Sequence, residues 1–262
     1  MSFEFIQVET GNHVTTITLN RPEVMNAINP AMHRELQQAF DGFAADSDQY
    51  ICVVTGAGER AFCAGSDLKA AAQSGIAGGA YPKNGYAGLI ERFDLSKPLI
   101  AAVNGVALGG GFEIALACDL IIAAESARFG LPEPLVGAVA LGGGLHRLAR
   151  QIGLKQAMGM ILSAQSVTAA EGKELGFVNE IVPASELAKT VDRWCERILK
   201  CAPLAIRASK ETVLRGLDEP GLATAMKNQN SYPAFAAWKT ADDTLEGPRA
   251  FAEKRPPRWC GL

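Results

Sequence analysis

The chain has 262 residues, enough for one large domain or a domain with an appendage, and 48% of them are apolar, so a sizeable core can be buried. Its net charge of −3 comes from acidic and basic residues mixed along the whole length, which argues against the basic face of a nucleic-acid protein. No stretch approaches the roughly eighteen uninterrupted apolar residues of a membrane span, and the opening run MSFEFIQVETGNHVTTITLNRPE lacks the basic start and apolar run of a secretory leader. Cys52, Cys63, Cys118, Cys195, Cys201 and Cys260 form no CxxC pair, and several sit in apolar runs; buried free thiols in a reducing cytoplasm are expected. His13, His33 and His146 have no metal-ligand spacing, so no zinc site is expected.

Residues 3–8 and 13–19 alternate and are β-rich, and with Gly11-Asn12 between them they predict a hairpin. Arg21-Pro22-Glu23 breaks that strand. Residues 30–45 predict an amphipathic helix with Pro30 in its first turn. Ile51–Thr55, Leu99–Val103 and Leu120–Ala124 are short apolar runs that predict buried strands, with helical patterns around 109–118, 143–152 and 154–163. Repeated strand-then-helix units imply an α/β core. Beyond about residue 185 the pattern turns helical, in runs Ser185–Cys201 with Ser185 as N-cap, Pro203–Leu217 and about Gly221–Lys239, and the tail adds a short helix and a Pro-rich end. A boundary is expected near 200, separating 1–200 from a helical region at 201–262. The Ala- and Gly-rich stretch 70–88 reads as a mobile, substrate-shaping loop.

Three segments are placed to carry chemistry. In VNGVALGGGFEIALACD (103–119) a strand end is followed by Gly109 to Gly111 and a helix whose N-terminus offers unpaired N–H groups, suited to a phosphate or a developing oxyanion. Glu113 falls in its first turn. Two readings stand on this run alone: a ligand-facing acid, or a favourable first-turn acid beside glycines that allow tight packing. In FGLPEPLVG (129–137) Glu133 lies between Pro132 and Pro134, which stiffen its backbone. A glutamate in so apolar a stretch is either hydrogen-bonded or has a raised pKa, as general acid–base work requires, and a solvated turn residue is the alternative. In TGAGERAFCAGSDLKA (55–70) the pattern Gly56-x-Gly58-x-x-Ala61 is not a dinucleotide fingerprint, because Phe62-Cys63-Ala64-Gly65 intervenes before any helix and no acidic residue ends a second strand about twenty residues on. Ser66 has no GxSxG elbow and no evident histidine partner, so Ala64-Gly65-Ser66 reads as a small-residue turn that supplies a backbone N–H.

AFCAGSDLK, NGVALGGGFEIALACD and FGLPE together resemble the crotonase, or enoyl-CoA hydratase/isomerase, superfamily, and the resemblance runs from TLNRPEVMNAI through KELGFVNEIVP to EGPRAFAEKR. It implies an α/β spiral of strand–strand–helix repeats with a C-terminal helical trimerisation region, and a homotrimer or dimer of trimers. It implies an acyl-CoA substrate, with coenzyme A carried by that substrate and no separate cofactor. The family's oxyanion hole maps onto the backbone N–H groups of Ser66 and Gly110. Its two hydratase glutamates map onto Glu113 and Glu133, twenty residues apart as in hydratases. Ala64, Asp67 and Leu68 fall where the family lines the adenine site, and Phe251 and Lys254 where it reaches a neighbouring subunit's coenzyme A. The expected activity is hydration of a 2-enoyl thioester by a cytoplasmic lyase.

Two departures bear on the substrate. Some isomerase and dehalogenase relatives place an aspartate where this chain has Leu141, after Ala140, which argues against those chemistries; a bulky Leu141 beside the acyl group also narrows the pocket. NGYAGLIERFDLSKPLIAAVNG and AFAEKR are similar to the carnitinyl-CoA dehydratase branch, whose acyl chain carries a trimethylammonium group. Tyr81, Tyr86 and Phe93 are candidate aromatic faces for such a cation, with Tyr86 assigned to the acyl pocket. An enoyl-CoA isomerase needs only one carboxylate, and an idle acyl-CoA or RNA scaffold needs neither, so the presence of both glutamates favours hydration.

Overall fold

The computed structural model describes residues 3–69 and 81–261, so residues 70–80 of the stretch read as a mobile loop lie outside the described residues. The chain divides into two compact units, one of Met1–Phe93 with Leu99–Arg193 and one of Asp94–Pro98 with Trp194–Leu262.

In the first unit, β1 (Ile6–Gly11) and β2 (Val14–Leu19) form the expected antiparallel hairpin. Asn12 and His13 turn it with φ of 48° and 63°, the left-handed pair that matches the twist of a tight hairpin. Helix α1 (Pro30–Ala45) begins at Asn29, whose side-chain oxygen accepts from the Met32 amide at 2.8 Å, and buries Met32, His33, Leu36, Ala39, Phe40 and Phe43 along one stripe.

The strands that follow come in consecutive pairs that split between two sheets. β3 (Ile51–Gly56), β5 (Leu99–Val103), β7 (Leu120–Ala124) and β10 (Glu180–Val182) extend the hairpin sheet in the order β1-β2-β3-β5-β7-β10, parallel beyond β2. Their partners β4 (Ala61–Cys63), β6 (Val106–Leu108) and β8 (Arg128–Gly130) form a second sheet, closed by antiparallel β9 (Val167–Thr168). One strand to each sheet and then a helix, repeated along the chain, is the expected spiral. Buried on both faces, β3 and β5 are continuous apolar runs without alternation.

Helices α2 (Gly110–Ala117), α3 (Gly144–Gln151), α4 (Leu154–Ser163) and α5 (Ala169–Leu175) complete this unit, and the first three match the helical patterns closely. Phe112 of α2, Phe129 of β8 and Phe177 meet ring to ring with centroids 5.2–5.4 Å apart, and all three are buried. Phe112 ties this cluster to the first turn of α2, where Glu113 is the next residue.

Helix α6 (Leu187–Leu199) corrects one expectation. Ser185 lies inside a 3₁₀ turn, Ala184–Glu186, without a side-chain capping bond, because Pro183 sets the entry and its carbonyl accepts from the Glu186 amide at 2.9 Å. In the second unit, α7 (Pro203–Gly216) agrees with the expected run, whereas Gly221–Lys239 is not one helix. It divides into α8 (Leu222–Asn228), a 3₁₀ turn and α9 (Pro233–Lys239), since Pro233 has no N–H to continue the ladder. In α10 (Asp243–Ala252), Asp243 accepts from the amides of Cys260 and Gly261 at 2.9 and 3.0 Å, and Glu246 binds the Arg255 guanidinium at 2.6 Å, so two carboxylates hold the Pro-rich tail. Among the described residues no helix is long and apolar enough to cross a membrane.

Phe129→Ala removes one of the three mutually packed rings and is expected to destabilise the first unit by about 3–5 kcal/mol, read from the shift in its denaturant midpoint.

Candidate active site

The site forms where β4 and β6 end and α2 begins. Gly65 follows β4 with φ of 93°, and a Cβ there would stand 2.9 Å from the Leu108 carbonyl and 3.2 Å from the Gly110 amide nitrogen. Only glycine lets the two backbones run this close in that conformation. The Ile28 amide donates to the Gly65 carbonyl at 2.8 Å and the Asp67 amide to the Ile28 carbonyl at 3.0 Å, so the intervening Ser66 N–H faces away from Ile28. Gly110 opens α2, so its N–H has no acceptor within the helix. The strand ends thus bring the backbone at Gly65, next to Ser66, against Gly110, so the segments that carry the two sequence-assigned oxyanion donors meet.

Both glutamates reach this place. Glu113, 2% exposed, lies in the first turn of α2; its Oε1 accepts from the Gly144 amide at 2.9 Å. Burial is the largest influence on it, pushing its pKa up to about 7 against the amides of Gly144 and Gly142, which favour the anion; the Glu133 charge pushes it up further and Arg147 pulls it back. The turn 142–144 wraps this carboxyl closely: a Cβ on Gly142 would overlap its Oε2, and one on Gly144 would stand 2.8 Å from its Cγ.

Glu133 starts a 3₁₀ turn, Glu133–Val136, entered from Pro132. Its Oε1 would lie 3.0 Å from a Cβ on Gly109, whose φ is 53°, so the carboxyl lies against the loop that leads to the Gly110 amide. Its Oε2 is buried and, among the described residues, has no hydrogen-bond partner. Burial raises its pKa as well. The phenol of half-buried Tyr81 is raised by burial and then by the charges of both Glu113 and Glu133, which places it in the field of the two carboxylates.

Tyr86 is 2% exposed. Its ring occupies the space a Gly110 side chain would need, and its hydroxyl accepts from the Ser66 Oγ at 3.2 Å, so it packs against both backbones. His33 meets Tyr86 and Tyr81 edge-on at 4.7 and 5.4 Å and accepts from the Ala87 amide at 2.9 Å; burial lowers its pKa to about 4, which keeps it neutral. Asp67 pairs with Arg21 at 3.1 Å, Leu68 is exposed, and the Ala64 amide bonds the Met25 carbonyl at 3.0 Å. Leu141 is 61% exposed at the start of the 142–144 turn. Phe251 and Lys254 belong to the second unit, Phe251 exposed and Lys254 with φ of 55°. Sequence reasoning missed the turn 142–144 and Arg147. The glycine triplet Gly142–Gly144, a second instance of the pattern seen at 109–111, was the available signal.

A family model described as enoyl-CoA hydratase/isomerase matches residues 9–261. Carnitinyl-CoA dehydratase of Proteus mirabilis (strain HI4320) is 40% identical over 261 residues, 98% of either chain, and that of Salmonella typhimurium is 39% identical over 98% of this chain and 99% of its own. The crystal structure of enoyl-CoA hydratase from Mycobacterium tuberculosis H37Rv superposes with a TM-score of 0.90 at 37% identity, covering 98% of this chain and 99% of that one. The structure from Bacillus anthracis gives 0.89 at 35% identity over 99% and 100%. The chain belongs to the enoyl-CoA hydratase/isomerase, or crotonase, family, and is an enzyme of its hydro-lyase class.

Proposed function

We propose that the enzyme adds water across the 2,3 double bond of an enoyl-CoA thioester, with Glu113 and Glu133 as the acid–base pair and the amides of Ser66 and Gly110 as the oxyanion hole. The observation that carries this reading is the pair of desolvated carboxyls, one shifted to about 7 and one with a bare oxygen, beside two free-facing amides.

Glu113 accepts a proton from water as the water oxygen bonds to C3. The double-bond electrons move to form the enolate, whose oxygen takes the two N–H bonds. Glu133 delivers a proton to C2, the enolate collapses to the thioester, and solvent returns the proton from Glu113 to Glu133. Each amide is worth roughly 3 kcal/mol of transition-state stabilisation by analogy with single-donor losses. A carboxylate with a pKa near 7 is well matched to taking a proton from water at neutral pH.

The carnitinyl-CoA dehydratases at 40% identity support a second substrate, crotonobetainyl-CoA, in the same reaction class. Tyr81 favours it: an aromatic face in the field of two carboxylates suits a trimethylammonium group. Phe93, 79% exposed, is the weaker candidate. The reading extends to the adenine contacts at Ala64, Asp67 and Leu68, to Phe251 and Lys254 reaching a neighbouring subunit's coenzyme A, and to a homotrimer or dimer of trimers in the cytoplasm.

Glu113→Gln and Glu133→Gln are each expected to lower turnover at least about a hundredfold. Loss of the conjugated thioester absorbance of crotonyl-CoA, and of crotonobetainyl-CoA in parallel, measures this and ranks the two substrates. Wild-type turnover in both variants contradicts the assignment, and conversion of a 3-enoyl substrate alone points to an isomerase. Hydration by the wild type should rise with pH as Glu113 ionises through about 7. Stability runs the other way. The folded pKa lies above the unfolded one, so the native state binds the extra proton and loses stability as pH rises from about 4.5 to about 7. Glu113→Gln is therefore expected to melt above the wild type at pH 8, a gain that shrinks at pH 5; equal gains at both contradict a desolvated carboxylate.

A further inference from the structure

Arg147 lies on α3, one turn after Gly143, and touches both walls of the site. Its Nη2 donates to the Ile90 carbonyl at 2.6 Å, in the segment that follows Tyr86. Its Nη1 fills the space that a Gly143 side chain would occupy. Gly143 is the centre of the turn whose neighbours, Gly142 and Gly144, close on the Glu113 carboxyl. Among the described residues, the titratable groups that act on this guanidinium are the carboxyls of Glu113 and Glu91 and the thiol of Cys118. Those that act on Glu113 are Glu133 and Arg147, with Tyr81 and Tyr86 also in its field. Arg147 is thus the cation among the groups that act on Glu113, its charge the smallest of those influences, and it is fixed by a backbone carbonyl.

We propose that Arg147 is a positioning residue: its guanidinium, held by the Ile90 carbonyl, braces the 142–144 turn around Glu113 and supplies the positive charge that keeps this carboxylate available as a base. The inference rests on the reading of Glu113 as the base, and it specifies how that base is maintained. Arg147 touches no reacting atom. It acts through the turn, whose amides grip Glu113, and through its charge, which opposes the effect of burial.

The test uses Arg147→Gln and Arg147→Lys in the full-length enzyme. The Glu113 carboxyl is followed directly by infrared titration, its band assigned by its loss in Glu113→Gln, alongside the pH profile of hydration. Arg147→Gln is expected to move both the band and the acid limb of the profile to higher pH by at least about half a unit, the scale of losing one nearby charge. Arg147→Lys keeps the charge without the fork that reaches Ile90, so a smaller shift in the same direction is expected, with lower kcat. If Arg147→Gln does not fold, Arg147→Lys alone decides. A kcat that falls with the band unmoved in every folded variant overturns the proposal, because a purely structural role moves no titration. A band that shifts while Glu113→Gln retains turnover shows that Arg147 sets the Glu113 titration but overturns Glu113 as base, and with it the catalytic part of this proposal.

Discussion

Taking a carboxylate out of water is the most unfavourable local step this fold accepts, and Glu113 is where it happens. At 2% exposure it has lost most of its hydration and regained one clear backbone donor, the Gly144 amide at 2.9 Å. An isolated buried charge is strongly disfavoured, so the group answers by holding its proton up to about pH 7. Under the proposed mechanism, the same partial compensation suits it to take a proton at neutral pH. Full compensation by a paired cation would have left an ordinary, inert carboxylate, and an apolar residue there would have left none. A desolvated carboxyl of this kind is held at the expense of local stability.

The rest of the first unit arranges backbone around that carboxylate. Splitting each pair of strands between two sheets brings the ends of β4 and β6 side by side, which sets the backbone after one strand against the backbone after the other. Close approach then restricts side-chain size. Gly65 and Gly109 carry positive φ at the contact, and Tyr86 takes the space above Gly110. The buried ring cluster of Phe112, Phe129 and Phe177 packs the first turn of α2, which carries Glu113. Pro132 plays the equivalent part for Glu133 by setting the entry to its turn.

Much of this was legible before any coordinates. Continuous β-branched and apolar runs mark β3, β5 and β7 because buried parallel strands show no alternation. The glycines before Glu113 and the prolines around Glu133 announce close approach and stiffness. The second sheet was not legible, since strands of two or three residues such as β9 and β4 carry too little pattern. Ser185 and Gly221–Lys239 misled for local reasons: a good capping residue lost to the proline two positions earlier, and a helical composition hid the break at Pro233. Arg147 escaped because nothing in its own neighbourhood of the sequence points to Ile90 or Glu113, fifty-seven and thirty-four residues away. Its significance exists only in the folded chain.

The central claim is that two amides and two carboxyls serve one thioester carbonyl and its adjoining double bond. The most direct measurement is a crystal structure of the Glu113→Gln enzyme with crotonyl-CoA bound. The account predicts the thioester oxygen about 2.7–3.1 Å from the amide nitrogens of Ser66 and Gly110, with residue 113 facing C3 and Glu133 facing C2. A thioester oxygen that meets neither amide, or side chains at 113 and 133 that open to different cavities, contradicts it.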